Sequence, residues 1–88
     1  MKKYINEIIN LLNISEECDW KNTFENLIKM YPDQNKDFAR DVLKLYGGMG
    51  SFNDLVLFKN GILLRDENDK LEILRKKLYN NIEEYLSN

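Results

Sequence analysis

The 88-residue chain has no histidine, one cysteine, one proline, four glycines and no excess of basic charge. Without imidazole, Ser/His and Cys/His nucleophile pairs and most zinc sites are excluded. Cys18 has no second thiol to pair with, which agrees with a reducing compartment, and a thiol with no histidine beside it is a poor nucleophile. It reads as a passive residue in a loop or at a helix start. No stretch approaches the roughly 18 consecutive apolar residues of a membrane span, and Asn6, Glu7, Asn10 and Asn13 interrupt the apolar residues behind Lys2 and Lys3. Neither a membrane segment nor a signal peptide is expected, and the protein reads as cytoplasmic.

Thirteen basic and fifteen acidic side chains give a formal charge of −2. Residues 1–50 hold seven basic and eight acidic groups, and residues 51–88 hold six and seven. With no basic half to neutralise phosphates, nucleic acid is not an expected partner. Hydrophobic residues at 43% and charged residues at 32% suit one small globular domain, residues 1–88, with a thin core.

Helical periodicity dominates. Tyr4, Ile5, Ile8, Ile9, Leu11 and Leu12 fall on one face of a helix over about residues 2–13. Ser15 to Asp19 offers capping side chains and early carboxylates for a second helix, starting at about residue 16 or 19 and carrying Trp20, Phe24, Leu27, Ile28 and Tyr31 on one face. Pro32 ends it. A third helix over about 34–46 aligns Phe38, Val42, Leu45 and Tyr46, with Gly47 placed as a left-handed cap. The period then changes: Leu55-Val56-Leu57-Phe58 and Ile62-Leu63-Leu64 flank Asn60-Gly61, the strongest short signal for a type I′ hairpin. The expected pairs are Lys59 with Ile62, Phe58 with Leu63, Leu57 with Leu64 and Val56 with Arg65, and so marginal a ribbon must lie against the helices. A last helix over about 68–86 carries Leu71, Leu74, Leu78, Ile82 and Tyr85 inward. The fold class is mainly α: a small four-helix domain with one short β-hairpin, about residues 55–65, between helices 3 and 4.

Four features stand apart from this pattern. Gly47, Gly48, Met49 and Gly50 precede Ser51, Phe52, Asn53 and Asp54, so three of the four glycines share four positions. Such a run can cap a helix or cradle an anion, but no lysine or threonine opens a helix behind it as phosphate loops require. The structural reading is preferred, with Gly47 as cap, Gly50 in a tight turn, and Ser51 and Asp54 capping a short helical turn. Second, Glu16, Glu17 and Asp19, and again Asp66, Glu67 and Asp69, form acidic clusters that lack the glycine and glutamate of a calcium loop. They read as solvated helix starts which, if they meet in space, make a negative patch for a basic partner. Third, Arg75 falls inside the apolar arc of the last helix and must snorkel or pair with a carboxylate, with Asp54 the expected one. Fourth, Ile73 falls on the polar side, where it would anchor a contact. No carboxylate pair is singled out by spacing, so neither enzyme activity nor a metal or cofactor is expected.

Residues 47–57, Gly-Gly-Met-Gly-Ser-Phe-Asn-Asp-Leu-Val-Leu, resemble the central motif of a family of small bacterial proteins classed as a domain of unknown function. Its members are similar to this chain in having amphipathic helices before the motif. They also resemble the short orphan proteins found beside polymorphic toxin genes, which implies a toxin-neutralising immunity protein that covers a bacterial toxin domain. The resemblance implies no catalytic residue. On this reading Glu16, Glu17, Asp19, Asp66, Glu67, Asp69 and Ile73 are the candidate partner-binding residues. Two alternatives stand beside it: a homo-oligomeric structural or regulatory module, possible as a homodimer through the last helix, and an anion or small-ligand binder at Gly47–Asp54.

Overall fold

A computed structural model describes residues 1–47 and 50–87. It is mainly helical: α1 (Lys2–Ile14), α2 (Cys18–Met30), α3 (Lys36–Leu43), a 3-10 turn (Lys44–Tyr46), a second 3-10 turn (Phe52–Asp54), the hairpin strands β1 (Phe58–Lys59) and β2 (Ile62–Leu63), and α4 (Arg65–Ser87). The molecule measures 41 × 23 × 22 Å, its length being close to the roughly 35 Å that 23 helical residues span. Its accessible surface of 5633 Å² is near the roughly 5,400 Å² of a folded chain of this mass.

The helices are where the periodicity puts them, with shifts that have local causes. α1 and α2 pack as neighbours, and the Lys2 ammonium donates to the carbonyls of Tyr31 (2.8 Å) and Pro32 (2.7 Å), tying the start of one to the end of the other. Between them Ser15 does not cap α2. Its hydroxyl donates back to the Leu12 carbonyl (3.0 Å) and accepts from the Glu17 N–H (3.3 Å), so it closes the turn instead. α3 starts later than expected because Asn35 caps it, its carboxamide oxygen accepting from Phe38 N–H at 2.8 Å. α4 starts three residues before the expected Asn68, placing Asp66 and Glu67 in its first turn, where carboxylates favour the helix dipole.

α4 packs against both α1 and α3. Ile5, Ile8 and Leu12 of α1, Phe24 of α2, Phe38, Ala39 and Val42 of α3, and Leu71, Leu78 and Ile82 of α4 are all buried in one cluster. Phe52 and Leu57 join it from the segment between α3 and α4. Trp20, Leu27, Ile28 and Tyr31 sit at its margin, half buried. That margin reflects how few layers an 88-residue chain can stack around one core.

The hairpin has its expected turn and half its expected pairing. Phe58 faces Leu63, Lys59 faces Ile62, and Asn60 (φ 53°) and Gly61 (φ 75°) both take the positive φ that a type I′ turn needs. Leu64 N–H donates to the Leu57 carbonyl at 3.1 Å, but Val56 does not pair with Arg65, because Arg65 already begins α4. The ribbon does not lie flat on the helices either. Phe58, Ile62 and Leu63 are exposed by 49, 67 and 46%, and only Leu57 at its base is fully buried.

Candidate functional site

The glycine-rich segment is organised from the far end of the chain. On α4, Asn68 and Arg75 are seven residues apart, two helical turns on one face, and both reach the backbone of residues 52–64. The Arg75 guanidinium donates from Nη1 to the carbonyls of Phe52 (2.8 Å) and Leu55 (2.9 Å), and from Nη2 to Glu72 (2.8 Å). Its partner is therefore Glu72, one turn earlier on its own helix, and not Asp54. The side chain is 11% exposed and lies 5.7 Å from the centre of the Phe52 ring. A cation this buried needs acceptors in place of water, and the carbonyls at the two ends of the Phe52–Asp54 turn supply them. Glu72 is held below the usual carboxylate range, first by the hydrogen bond from Arg75 and then by its charge.

Asn68 clamps the base of the hairpin. Its oxygen accepts from Leu57 N–H (2.8 Å) while its Nδ2 donates to the carbonyls of Leu57 (3.0 Å) and Leu64 (2.8 Å). It substitutes for the next rung of the ladder at the point where β2 turns into α4. Tyr46 completes the attachment: its hydroxyl donates to the Arg75 carbonyl (2.9 Å), and its own carbonyl accepts from Asn53 (2.9 Å). Burial pushes its phenol up. Phe52 is the plug of this region, in ring contact with Trp20, Phe24 and Tyr46 at 5.5, 4.9 and 5.4 Å.

The glycines play different parts from those expected. Gly47 is not a left-handed cap: its φ of −94° and ψ of 136° are extended, and a Cβ there would meet nothing closer than the Lys44 carbonyl oxygen at 4.0 Å. Among the described residues of this run the left-handed one is Gly50, at φ 75°. Gly48 and Met49 lie outside the described residues. Ser51 begins the Phe52–Asp54 turn without a side-chain cap, and the Asp54 carboxylate reaches past it to Gly50 N–H at 2.8 Å. A carboxylate thus already occupies the place that an anion would take at that amide. Every buried side-chain nitrogen and oxygen among the described residues has a hydrogen-bond partner.

Beyond this anchored stretch the chain opens to solvent. Val56 (49%), Phe58, Ile62 and Leu63 make up four of the eight large exposed hydrophobic residues among those described, all within eight positions. The unbroken apolar run from Leu55 to Phe58 could have revealed them, since a two-stranded ribbon with apolar residues on both faces can bury only one. The hairpin tip is tied to the α1–α2 turn: Glu16 N–H donates to the Phe58 carbonyl (3.3 Å), and the Glu16 carboxylate accepts from Asn60 N–H (3.0 Å). The first acidic cluster, Glu16, Glu17 and Asp19, therefore reaches the hairpin through Glu16, while the second, Asp66, Glu67 and Asp69, follows it directly into α4. None of the six carboxylates has an ion-pair partner among the described residues. Nor, within those residues, do three or more Asp, Glu or Cys side chains gather closely enough to hold a metal ion.

Ile73, 54% exposed, lines a separate groove of about 330 Å³ between α1 and α4 with Leu11 and Leu74. Cys18 is exposed at the first position of α2. No described helix is long and apolar enough to cross a membrane.

A family model described as a domain of unknown function (DUF6966) matches residues 14–65, from the end of α1 through the hairpin to the first residue of α4. No curated protein and no solved structure matches the chain.

Proposed function

The chain belongs to the family of the domain of unknown function DUF6966, and from that premise we propose that it is a non-catalytic protein-binding domain, a toxin-neutralising immunity protein that acts by covering its partner. The observation that carries this reading is the concentration of exposed apolar side chains on the hairpin, Val56, Phe58, Ile62 and Leu63, beside carboxylates that have no ion-pair partner among the described residues. Apolar groups left in water next to uncompensated charge are stable only at a cost, and a complementary protein surface removes it. The buried and half-buried polar groups support the same view. Arg75, Asn68 and Tyr46 are committed to backbone carbonyls and amides, which leaves recognition to the exterior.

Co-expression with the protein encoded next to it tests the proposal. The expected result is that the neighbour is harmful when expressed alone, is tolerated when the two are made together, and co-purifies with this chain. A neighbour that is harmless alone and does not co-purify sinks the neutralising role. A second reading, self-association through α4, has one observation in its favour, the exposed Ile73 above its groove. Sedimentation at micromolar concentration separates the two, since a monomer unchanged by Ile73→Asp removes the oligomer.

A further inference from the structure

The molecule's charge is unevenly distributed in a way that its sum conceals. Residues 15–19 and 58–69, joined through the two Glu16 bonds, hold six carboxylates and two cations, Lys59 and Arg65, for a net −4. The whole chain carries −2, so everything outside these segments is net +2. The negative end is also the apolar end. Beside the hairpin a cleft of about 400 Å³ has Leu55, Val56 and Leu63 along it, and its charged residues are Arg65, Asp69, Glu72 and Arg75, so the negative charge of this end lies around the cleft and not in it. Glu72 is paired with Arg75, whereas Asp69 has no ion-pair partner among the described residues.

Resting on the protein-binding reading, we infer that the hairpin end is the docking face and that its occupant is a Lys- and Arg-rich protein surface. Long basic side chains fit both halves of the site, their methylene stems along Val56, Ile62 and Leu63 and their charged heads at Asp66 and Asp69. Charge sign sets this occupant apart from the others. A second copy docked hairpin to hairpin would bring two −4 ends together, and nucleic acid or an anionic lipid surface would be repelled. The contact also explains why so short a ribbon is anchored so firmly at its base: Asn68 and Arg75 hold the platform while the tip remains uncovered.

The test is a methyl and amide NMR titration of the full chain with three synthetic peptides of equal length, built from Lys and Leu, from Glu and Leu, and from Lys and Ser. The Lys–Leu peptide should shift the Val56, Ile62 and Leu63 methyls, while the other two leave them in place. The double variant Ile62→Ser, Leu63→Ser should weaken Lys–Leu binding about tenfold or more with an unchanged fold. The double variant Asp66→Asn, Asp69→Asn should flatten the loss of affinity seen between about 0.01 and about 1 M salt. Shifts centred on Ile73 and Leu74, equal binding of the Glu–Leu or Lys–Ser peptide, no binding at all, or hairpin shifts that appear on concentrating the free protein, as a second copy would give, each overturn the inference. The neighbouring gene product distinguishes the two levels of the proposal. If it co-purifies equally with the native chain and the Ile62/Leu63 variant, protein binding stands and the hairpin face falls. If it co-purifies with neither while the Lys–Leu map holds, the face stands and the neutralising role falls.

Discussion

Residues 50–57 and residues 58–63 are adjacent in sequence and are treated in opposite ways by the rest of the molecule. The first stretch is held by side chains from a helix that comes after it: Phe52 and Leu57 are fully buried, and Arg75 and Asn68 engage the backbone at Phe52, Leu55 and Leu57. The second is held at its base, at its turn and by Glu16, and its apolar side chains face water. The contrast separates a motif that the fold buries and hydrogen-bonds from one whose apolar side chains it leaves in water. A buried backbone whose carbonyls have lost water must be given other partners, whereas an exposed apolar ribbon is solvated at a modest cost until something covers it.

The comparison breaks most severely at Phe52. Phe52→Ala removes the ring shared by Trp20, Phe24, Tyr46 and Arg75, and a loss of about 3–5 kcal/mol is expected, against a total near 5–15 kcal/mol for a domain of ordinary stability. Urea unfolding measures it. Should the variant prove unfolded, Phe52→Leu should still melt well below the parent, and a parent-like midpoint for both would show that the motif is not the plug described. Arg75→Met comes next. It takes the guanidinium donor from the Phe52 and Leu55 carbonyls, leaving Phe52 only its bond from Leu55 N–H, and is expected to cost about 3 kcal/mol, with Arg75→Lys recovering only part, because a point charge cannot serve both carbonyls and Glu72 as the guanidinium fork does.

Asn68→Ala should cost about 1–3 kcal/mol, and the loss should be felt at the hairpin before it is felt in the helices. Hydrogen exchange is the sharper readout: the amides of Leu57 and Leu64 should lose protection ahead of those of α1 and α3, and uniform loss would mean that the clamp is not local. The glycines provide a smaller, paired test. Gly50→Ala forces an L-residue to φ 75° with no clash to add and should cost about 1 kcal/mol, while Gly47→Ala, at an extended and open position, should be within about 0.5 kcal/mol of the parent by thermal melting. Equal melting of the two would overturn the assignment of the left-handed residue.

The smallest effect is electrostatic. Glu72 has a folded pKa lowered from 4.5, so the stability it contributes is fully present above that value and is lost as pH falls through the lowered one. Because its carboxylate is half exposed, the effect is screened. Comparing the acid limb of the unfolding curve of the parent with that of Glu72→Gln should show a slightly steeper loss in the parent. Identical limbs would show that Arg75 relies on the two carbonyls alone.

Much of the fold was legible. The apolar faces of α1 to α4 came from spacing alone, and the type I′ turn from Asn60-Gly61, because these depend only on periodicities of 3.6 and 2 and on which residues tolerate positive φ. Helix starts were less legible, since Asn35, Ser15 and Asp66 all have capping chemistry and only the surrounding turn selects which of them uses it. Arg75 was visible as an intruder on an apolar face, but its partners were not. The choice between Asp54 and Glu72 depends on where the Phe52–Asp54 turn presents its carbonyls. Asn68 gave no signal of its own, because an asparagine near a helix start is ordinary until the hairpin closes on it.

What the sequence determined by itself was therefore local: four amphipathic helices, a turn, the lack of imidazole and the near balance of charge. Only the tertiary structure decided which end of the molecule is negative, whether Gly47 or Gly50 is left-handed, and which apolar residues remain in water. Those outcomes follow from packing. α4 turns its inward face to α1, α3 and the 50–57 segment, and Phe58, Ile62 and Leu63, outside that packing, stay exposed.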